Sequence, residues 1–260
     1  MFYKVHQGVQ LDSQTVENLR SRKWIESNAI RVYKNKVNIV AELKLRVNGE
    51  DKHVVVKYFG WRNTVSFILS PFMRSRAQKT FDHSLLLLAN GIRVPAPIAV
   101  YTFRRFGFIG ENFIVMEKIK DYRLAREVIR DDNESLERKK TIVREIGRMI
   151  RKIHEINYIH NDLTPGNFLV DAEHNVYLID LNRMKKKFFL SWQRKMYELA
   201  KLNLCSCDLA YSHKDCLYVE LLEEYSGDKS KKLYELMQKA IRKNRLRRKA
   251  KKLLRWRKKV

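Results

Sequence analysis

Cysteine is scarce in this sequence, long apolar runs are missing, and acid is far outnumbered by base. The three cysteines among 260 residues, Cys205, Cys207 and Cys216, cannot all pair with one another, which excludes a disulfide-stapled framework. No apolar run approaches the roughly 18 to 20 residues that span a bilayer. The first twenty residues hold neither an unbroken apolar stretch nor a small-residue cleavage site. The expectation is a chain that opens at Met1, lies in a reducing cytoplasmic compartment and keeps its cysteines as thiols. His213 with the three cysteines would make a four-ligand zinc set, but Cys-x-Cys is a tight spacing in an aromatic, helical-looking stretch, and thiols are the default. No internal repeat is found.

What is present in excess is positive charge. Lys and Arg number 54 against 29 Asp and Glu, a formal charge of +25. That balance implies a polyanionic surface or substrate: nucleic acid, anionic lipid or phosphorylated glycan. It gives the partner's sign and not its identity. At 45% hydrophobic content the chain is not disordered, and it is long enough for one full core or two small lobes sharing a cleft.

Residues 30 to 59 read as three strands. Ile30 to Tyr33 leads through Lys34-Asn35-Lys36 into the alternating run Val37, Ile39, Ala41, Leu43, Leu45 and Val47. Asn48-Gly49 then favours a hairpin turn into Val54-Val55-Val56-Lys57-Tyr58-Phe59. From Arg74 to Asn90 the pattern is helical, with Ala77, Phe81, Leu85 and Leu88 on one stripe and Gly91 as the stop. Ile98 to Phe103 and Phe113 to Met116 read as two further strands. Beyond Glu117 the pattern is mostly helical, interrupted by two short strands, Phe168 to Val170 and Val176 to Ile179. The expected division is a strand-rich lobe over residues 1–118, a helical lobe over 119–236 and a basic tail over 237–260, with the cleft between the lobes as the default ligand site.

Four features occur in order: an apolar strand carrying Lys57, a helix, His160-Asn161-Asp162-Leu163-Thr164-Pro165-Gly166-Asn167, and an apolar strand ending at Asp180. This order of parts resembles that of protein kinases, with His-x-Asp-Leu-x-x-x-Asn as the catalytic loop. The resemblance implies an α+β, bilobal protein-kinase-like fold. A five-stranded antiparallel first lobe would carry one helix, and the second lobe would be small and helical. ATP brings adjacent negative phosphates, so Lys57 would set a point charge against them. Asp162 would accept the proton of an incoming hydroxyl. Asn167 and Asp180 would supply hard oxygens to Mg²⁺. Met116 and Glu117 are expected to contact the nucleotide. His160 is expected to pack under the loop and bond backbone near Asp180.

Several features depart from ordinary protein kinases. No Gly-x-Gly-x-x-Gly joins the first two strands, Leu181-Asn182-Arg183 follows Asp180 in place of Phe-Gly, no Ala-Pro-Glu follows, and Thr164 stands where a lysine is usual. Within kinase-like families the chain most resembles the lipopolysaccharide core kinases, the Kdo/WaaP family. The resembling segments are Val55 to Phe59, Ser75-Arg76-Ala77, Gly91-Ile92 leading to Pro95-Ala96-Pro97, His160 to Asn167, and Ile179 to Arg183. Together they span about half the chain. This resemblance implies transfer of the ATP γ-phosphate to a Kdo or heptose hydroxyl of the inner core, at the cytoplasmic face of the inner membrane. It also implies an acidic partner for Lys57 on the inserted helix. Thr80 falls where many relatives place that acid, and Asp82 is the nearest one available.

Between Lys239 and Lys259 stand 13 Lys or Arg and no acid, with Leu246, Ala250, Leu253 and Leu254 at helical spacing and Trp256 near the end. Two readings fit this tail: a basic amphipathic helix on anionic lipid, or a helix packing on the second lobe with its charge solvated. Two other functions compete with the sugar kinase. One is an atypical protein kinase of the RIO or Bud32 kind. The other is a nucleic-acid-binding protein with a vestigial motif, which the intact Lys57, Asp162, Asn167 and Asp180 set argues against.

Overall fold

The computed structural model describes residues 2–5, 11–61, 64–204, 216–227 and 231–257. The chain divides into two compact units, Met1–Lys120 with Asp180–Asn182, and Asp121–Ile179 with Arg183–Val260.

In the first unit β1 (Phe2–Val5), β2 (Arg31–Asn35), β3 (Asn38–Val47), β4 (Glu50–Phe59), β5 (Pro97–Arg105) and β6 (Phe108–Glu117) form one antiparallel sheet in the order β1-β5-β6-β4-β3-β2. Asn48 and Gly49 take φ of 55° and 81°, the left-handed pair that a tight hairpin needs, and Val47 faces Glu50 across the turn. The period-2 pattern gives the sheet two apolar faces. Ile39, Ala41, Leu43, Val54, Val56 and Val115 pack with Leu19 of α1 (Ser13–Arg20) and Ile25 of α2 (Arg22–Asn28). Phe59, Val100 and Ile114 pack on Ala77 and Phe81 of α4 (Arg76–Ala89), which follows the short α3 (Thr64–Ile68).

The expected five-stranded lobe with one helix is corrected by this arrangement. The sixth strand is β1, which pairs along β5 from Phe2↔Thr102 to Val5↔Ala99. Four residues are too few to display a strand period, so only the pairing reveals it. Helices α1 and α2, capped by Asp12 and Ser21, add a cover to the sheet face that α4 does not reach.

The second unit begins with β7 (Arg123–Leu124), α5 (Ala125–Arg130) and α6 (Leu136–Glu155). The short strands β8 (Tyr158–Ile159), β9 (Phe168–Val170), β10 (Val176–Leu178) and β11 (Lys185–Lys186) follow, then α7 (Trp192–Leu199), α8 (Leu217–Ser226) and α9 (Lys231–Arg257). Ile142, Ile146, Met149, Ile150 and Ile153 form the buried stripe of α6. Gly147 permits close approach to α8, since a Cβ there would lie 3.2 Å from the Leu221 carbonyl oxygen. Strands β9 and β10 form a hairpin, with β7 on the outer side of β9.

The tail begins inside the folded unit. Helix α9 is continuous through residue 237, buries Leu233, Tyr234, Met237 and Ile241, and donates from Asn244 Nδ2 to the Ala200 carbonyl at 2.9 Å. Packing on the second unit therefore accounts for its first half. Leu246 is exposed, and the side chains of Leu253, Leu254 and Trp256 lie beyond the described ones. No helix among the described residues is long and apolar enough to cross a membrane. Cys205, Cys207 and His213 lie outside the described residues, and Cys216 is buried at the start of α8.

Leu19→Ala and Ile25→Ala each remove a fully buried side chain from the cover formed by α1 and α2. Each is expected to cost the first unit about 2–4 kcal/mol, read as a fall in the urea midpoint of its unfolding. An unchanged midpoint would show that these helices are dispensable to the sheet.

Candidate active site

In the first unit the site is built on β4. Lys57 lies on the same sheet face as its cross-strand neighbours Val40 and Ile114 and as Phe59. It is 8% exposed. Burial pushes its ammonium below the ordinary lysine value, and the nearby Lys34 and Arg76 charges push the same way, while Asp180 opposes them. The Asp180 carboxylate accepts from Lys57 Nζ at 2.6 Å and from Asn182 Nδ2 at 2.5 Å. Asp180 holds a left-handed φ of 63°, uncommon for a residue with a side chain and a feature that concentrates at functional sites. His83 Nδ1 meets the Leu181 carbonyl at 3.0 Å, so Asp180–Asn182 is tied to this unit at two points.

Asp82 does not partner Lys57. Lys4 and Arg74 engage its carboxylate instead. The buried stripe of α4 runs through Ala77, Thr80, Phe81, Ser84 and Leu87, and a step of about 100° per residue turns position 82 away from it. Thr80 lies on the stripe but donates its hydroxyl to the Arg76 carbonyl at 2.8 Å. The acidic partner expected on the helix is thus replaced by Asp180. Met116 packs against the cluster of Phe59 and Phe81. Glu117 is exposed, and its backbone N–H is taken by the Ala96 carbonyl at 2.9 Å.

In the second unit the loop from His160 to Asn167 is fastened from below by one carboxylate. Glu198, on α7 and 2% exposed, accepts from the backbone N–H of His160 at 3.1 Å and of Asn161 at 2.6 Å. It also meets His154 Nε2 at 3.0 Å, and His154 Nδ1 meets the Tyr225 hydroxyl at 2.7 Å. Burial pushes that hydroxyl's pKa up and keeps it protonated. Burial alone would raise the Glu198 carboxyl, but the hydrogen bond and charge interaction with His154, the Asn161 N–H and Lys201 together hold it below the ordinary value.

Above this brace, Asn161 adopts a left-handed φ of 66°. Its side chain donates to the Arg183 carbonyl at 2.8 Å. His160 is buried, with Nε2 at 3.2 Å from the carbonyl of Ile179, the residue before Asp180, a contact that suits a structural residue. Asn167 donates through Nδ2 to the Asp162 carbonyl at 2.7 Å, so its side-chain oxygen is the free end. Its own carbonyl accepts from Ile179 N at 2.9 Å. Asp162 remains 40% exposed at its side chain, and Oδ2 accepts from Arg183 Nη1 at 2.9 Å.

Two positions that contact the loop were not singled out by sequence reasoning. Arg183 stood inside a motif segment without a role of its own. Glu198 carried no signal, because one glutamate in a short helix reads as a solvated residue until its backbone partners are known. Among the described residues no group of three or more His, Cys, Asp or Glu could hold a metal ion by itself.

A strand lysine paired to an aspartate and a braced His-x-Asp-Leu-x-x-x-Asn loop, on a mixed α/β frame with antiparallel sheets, are consistent with a kinase-like fold. The chain belongs to the lipopolysaccharide kinase (Kdo/WaaP) family, whose profile matches residues 40–225. It is 26% identical over 145 residues to a 3-deoxy-D-manno-octulosonic acid kinase of Photobacterium damsela subsp. piscicida, covering 56% of this chain and 58% of that protein. It is 29% identical over 122 residues to the enzyme of that name from Vibrio cholerae, covering 45% and 50%. For the one from Xylella fastidiosa the identity is 30% over 110 residues, covering 42% of each. The chain spans about half the length of the curated relatives it matches.

Because the Glu198 carboxyl is depressed, its stabilising contribution is complete above the ordinary value of 4.5 and is lost as pH falls through the lower folded value. Glu198→Gln replaces one acceptor by an NH₂ that opposes a backbone N–H, costing about 1–3 kcal/mol near neutral pH. Its melting temperature should also fall less than that of the wild type between pH 5 and pH 3. Parallel losses in the two proteins would remove Glu198 from the acid response.

Proposed function

We propose that the protein transfers the γ-phosphate of ATP to a sugar hydroxyl, of a Kdo or heptose residue, in the lipopolysaccharide inner core. The observation that carries this reading is the desolvated Lys57 ammonium held at 2.6 Å from Asp180. A buried cation with one carboxylate partner is a site for exchanging that partner with phosphate oxygens. Family membership and the names of the relatives support the sugar acceptor.

In this proposal Lys57 faces the α and β phosphates, and Met116 and Glu117 lie along the nucleotide. Asp162 takes the proton of the acceptor hydroxyl as its oxygen bonds to the γ-phosphorus and the bond to the ADP oxygen breaks. Its partial exposure suits a group that must reach substrate. Arg183, which holds one of its oxygens, aims the other. The donors fit Mg²⁺, which favours oxygen ligands and takes one or two carboxylates with substrate phosphates. Asp180 and the side-chain oxygen of Asn167 would hold it, and the ion would neutralise phosphate charge. The acceptor places the work at the cytoplasmic face of the inner membrane, with the basic second half of α9 directed to anionic headgroups.

Incubation with ATP, Mg²⁺ and deacylated core should place phosphate on the glycan, and Asp162→Ala should abolish it. Asp162→Asn should lower kcat by about 100- to 10,000-fold with little change in KM for the glycan. Lys57→Ala should raise KM for ATP. A normal rate in either Asp162 variant, or phosphate on protein and none on glycan, would sink the proposal.

A further inference from the structure

An apolar surface in the first unit lies apart from every residue assigned above. It is formed by Ser70–Phe72 with α3 before it, and by the tip of the β5–β6 hairpin. Phe72 is 93% exposed and Phe106 is 89% exposed, with Trp61, Val65, Ile68 and Leu69 also in the exposed range. Single exposed apolar residues are normal, whereas a contiguous group marks a surface that meets something.

The two segments are joined into one platform. Arg104 donates through Nη1 to the Ser70 and Gly107 carbonyls at 3.1 and 2.7 Å, and through Nη2 to the Met73 carbonyl at 2.7 Å. The Ile109 N–H donates to Ser70 Oγ at 3.1 Å. Phe67 stacks on Phe108 with ring centroids 5.1 Å apart, and Trp61 meets Phe67 edge-on at 5.2 Å. The exposed rings therefore stand on a braced base.

The segments that form the platform carry base and no acid. No Asp or Glu occurs from Trp61 to Ser75 or from Phe103 to Gly110. Arg105 is exposed at the margin with its guanidinium 5.7 Å from the Phe106 ring centroid, and Arg74, exposed beside Phe72, is ion-paired with Asp82. Aromatic and aliphatic side chains that enter the acyl boundary, beside an arginine that meets headgroup phosphates on a chain of net charge +25, make the chemistry of an interfacial anchor.

We propose that this platform docks the first unit onto an anionic phospholipid bilayer, with Phe72 and Phe106 as the inserting side chains. The proposal rests on the membrane reading above only in its choice of partner, and it assigns the contact to an element other than the basic tail.

The test is sedimentation of the full chain with vesicles of phosphatidylcholine alone and with added phosphatidylglycerol. Phe72→Ser/Phe106→Ser should bind the anionic vesicles about tenfold or more weakly. Its thermal midpoint, and its rate on soluble deacylated core measured without lipid, should be unchanged. Arg105→Glu, which spares the apolar surface, should weaken binding to the anionic vesicles more than to the neutral ones. Undiminished vesicle binding by the double variant would overturn the proposal. So would a wild-type dimer that the double variant abolishes, since the platform would then seat a second copy. Absence of phosphate transfer by the wild type without lipid would count against the kinase reading alone.

Discussion

A desolvated lysine cannot keep its charge without a partner, and the ion pair between Lys57 and Asp180 is the constraint on which the arrangement around β4 in the first unit depends. The pair draws Asp180–Asn182 into a unit to which the flanking residues Ile179 and Arg183 do not belong. It also supports a left-handed conformation at Asp180 that a residue with a side chain adopts at a cost. The His83 contact to Leu181 adds a second tether. Lys34 and Arg76 raise the positive potential around Lys57, so an anion is the species this environment favours.

Glu198 plays the corresponding part in the second unit. It turns two backbone N–H groups of the loop toward one buried carboxylate and is itself held by His154 and Tyr225. Such a network is strong only when every member is satisfied. Asp162 has a different setting, partly exposed with Arg183 as its ion-pair partner. Glu198 is buried and braces the loop, whereas Asp162 stays accessible. Left-handed φ values occur at Asn161 in the second unit and at Asp180 in the first.

Local signals were legible in the sequence where the physics is local. Asn48-Gly49 specified a hairpin because few other pairs adopt left-handed φ at both positions, and the apolar run from Val54 to Phe59 after it placed Lys57 on a strand. The spacing from His160 to Asn167 marked the loop. Long-range facts were not legible. Strand β1 is defined by its pairing with β5, and α1 and α2 by the sheet face they cover. Asp82 failed as a partner because helix phase, and not proximity in sequence, decides which side chain faces inward. Glu198 became visible only through partners 37 to 44 residues away. The apolar platform likewise needed the fold to show that Phe72 and Phe106 remain uncovered.

In the proposed function Lys57 and Asp180 form a nucleotide site whose aspartate serves a metal ion. Calorimetric titration of ATP, with and without Mg²⁺, into the wild type and Asp180→Asn tests it most directly. The account predicts that the variant loses roughly tenfold or more in affinity for the magnesium complex and binds metal-free ATP no more weakly than the wild type. Equal affinity of the two proteins for the magnesium complex would contradict it.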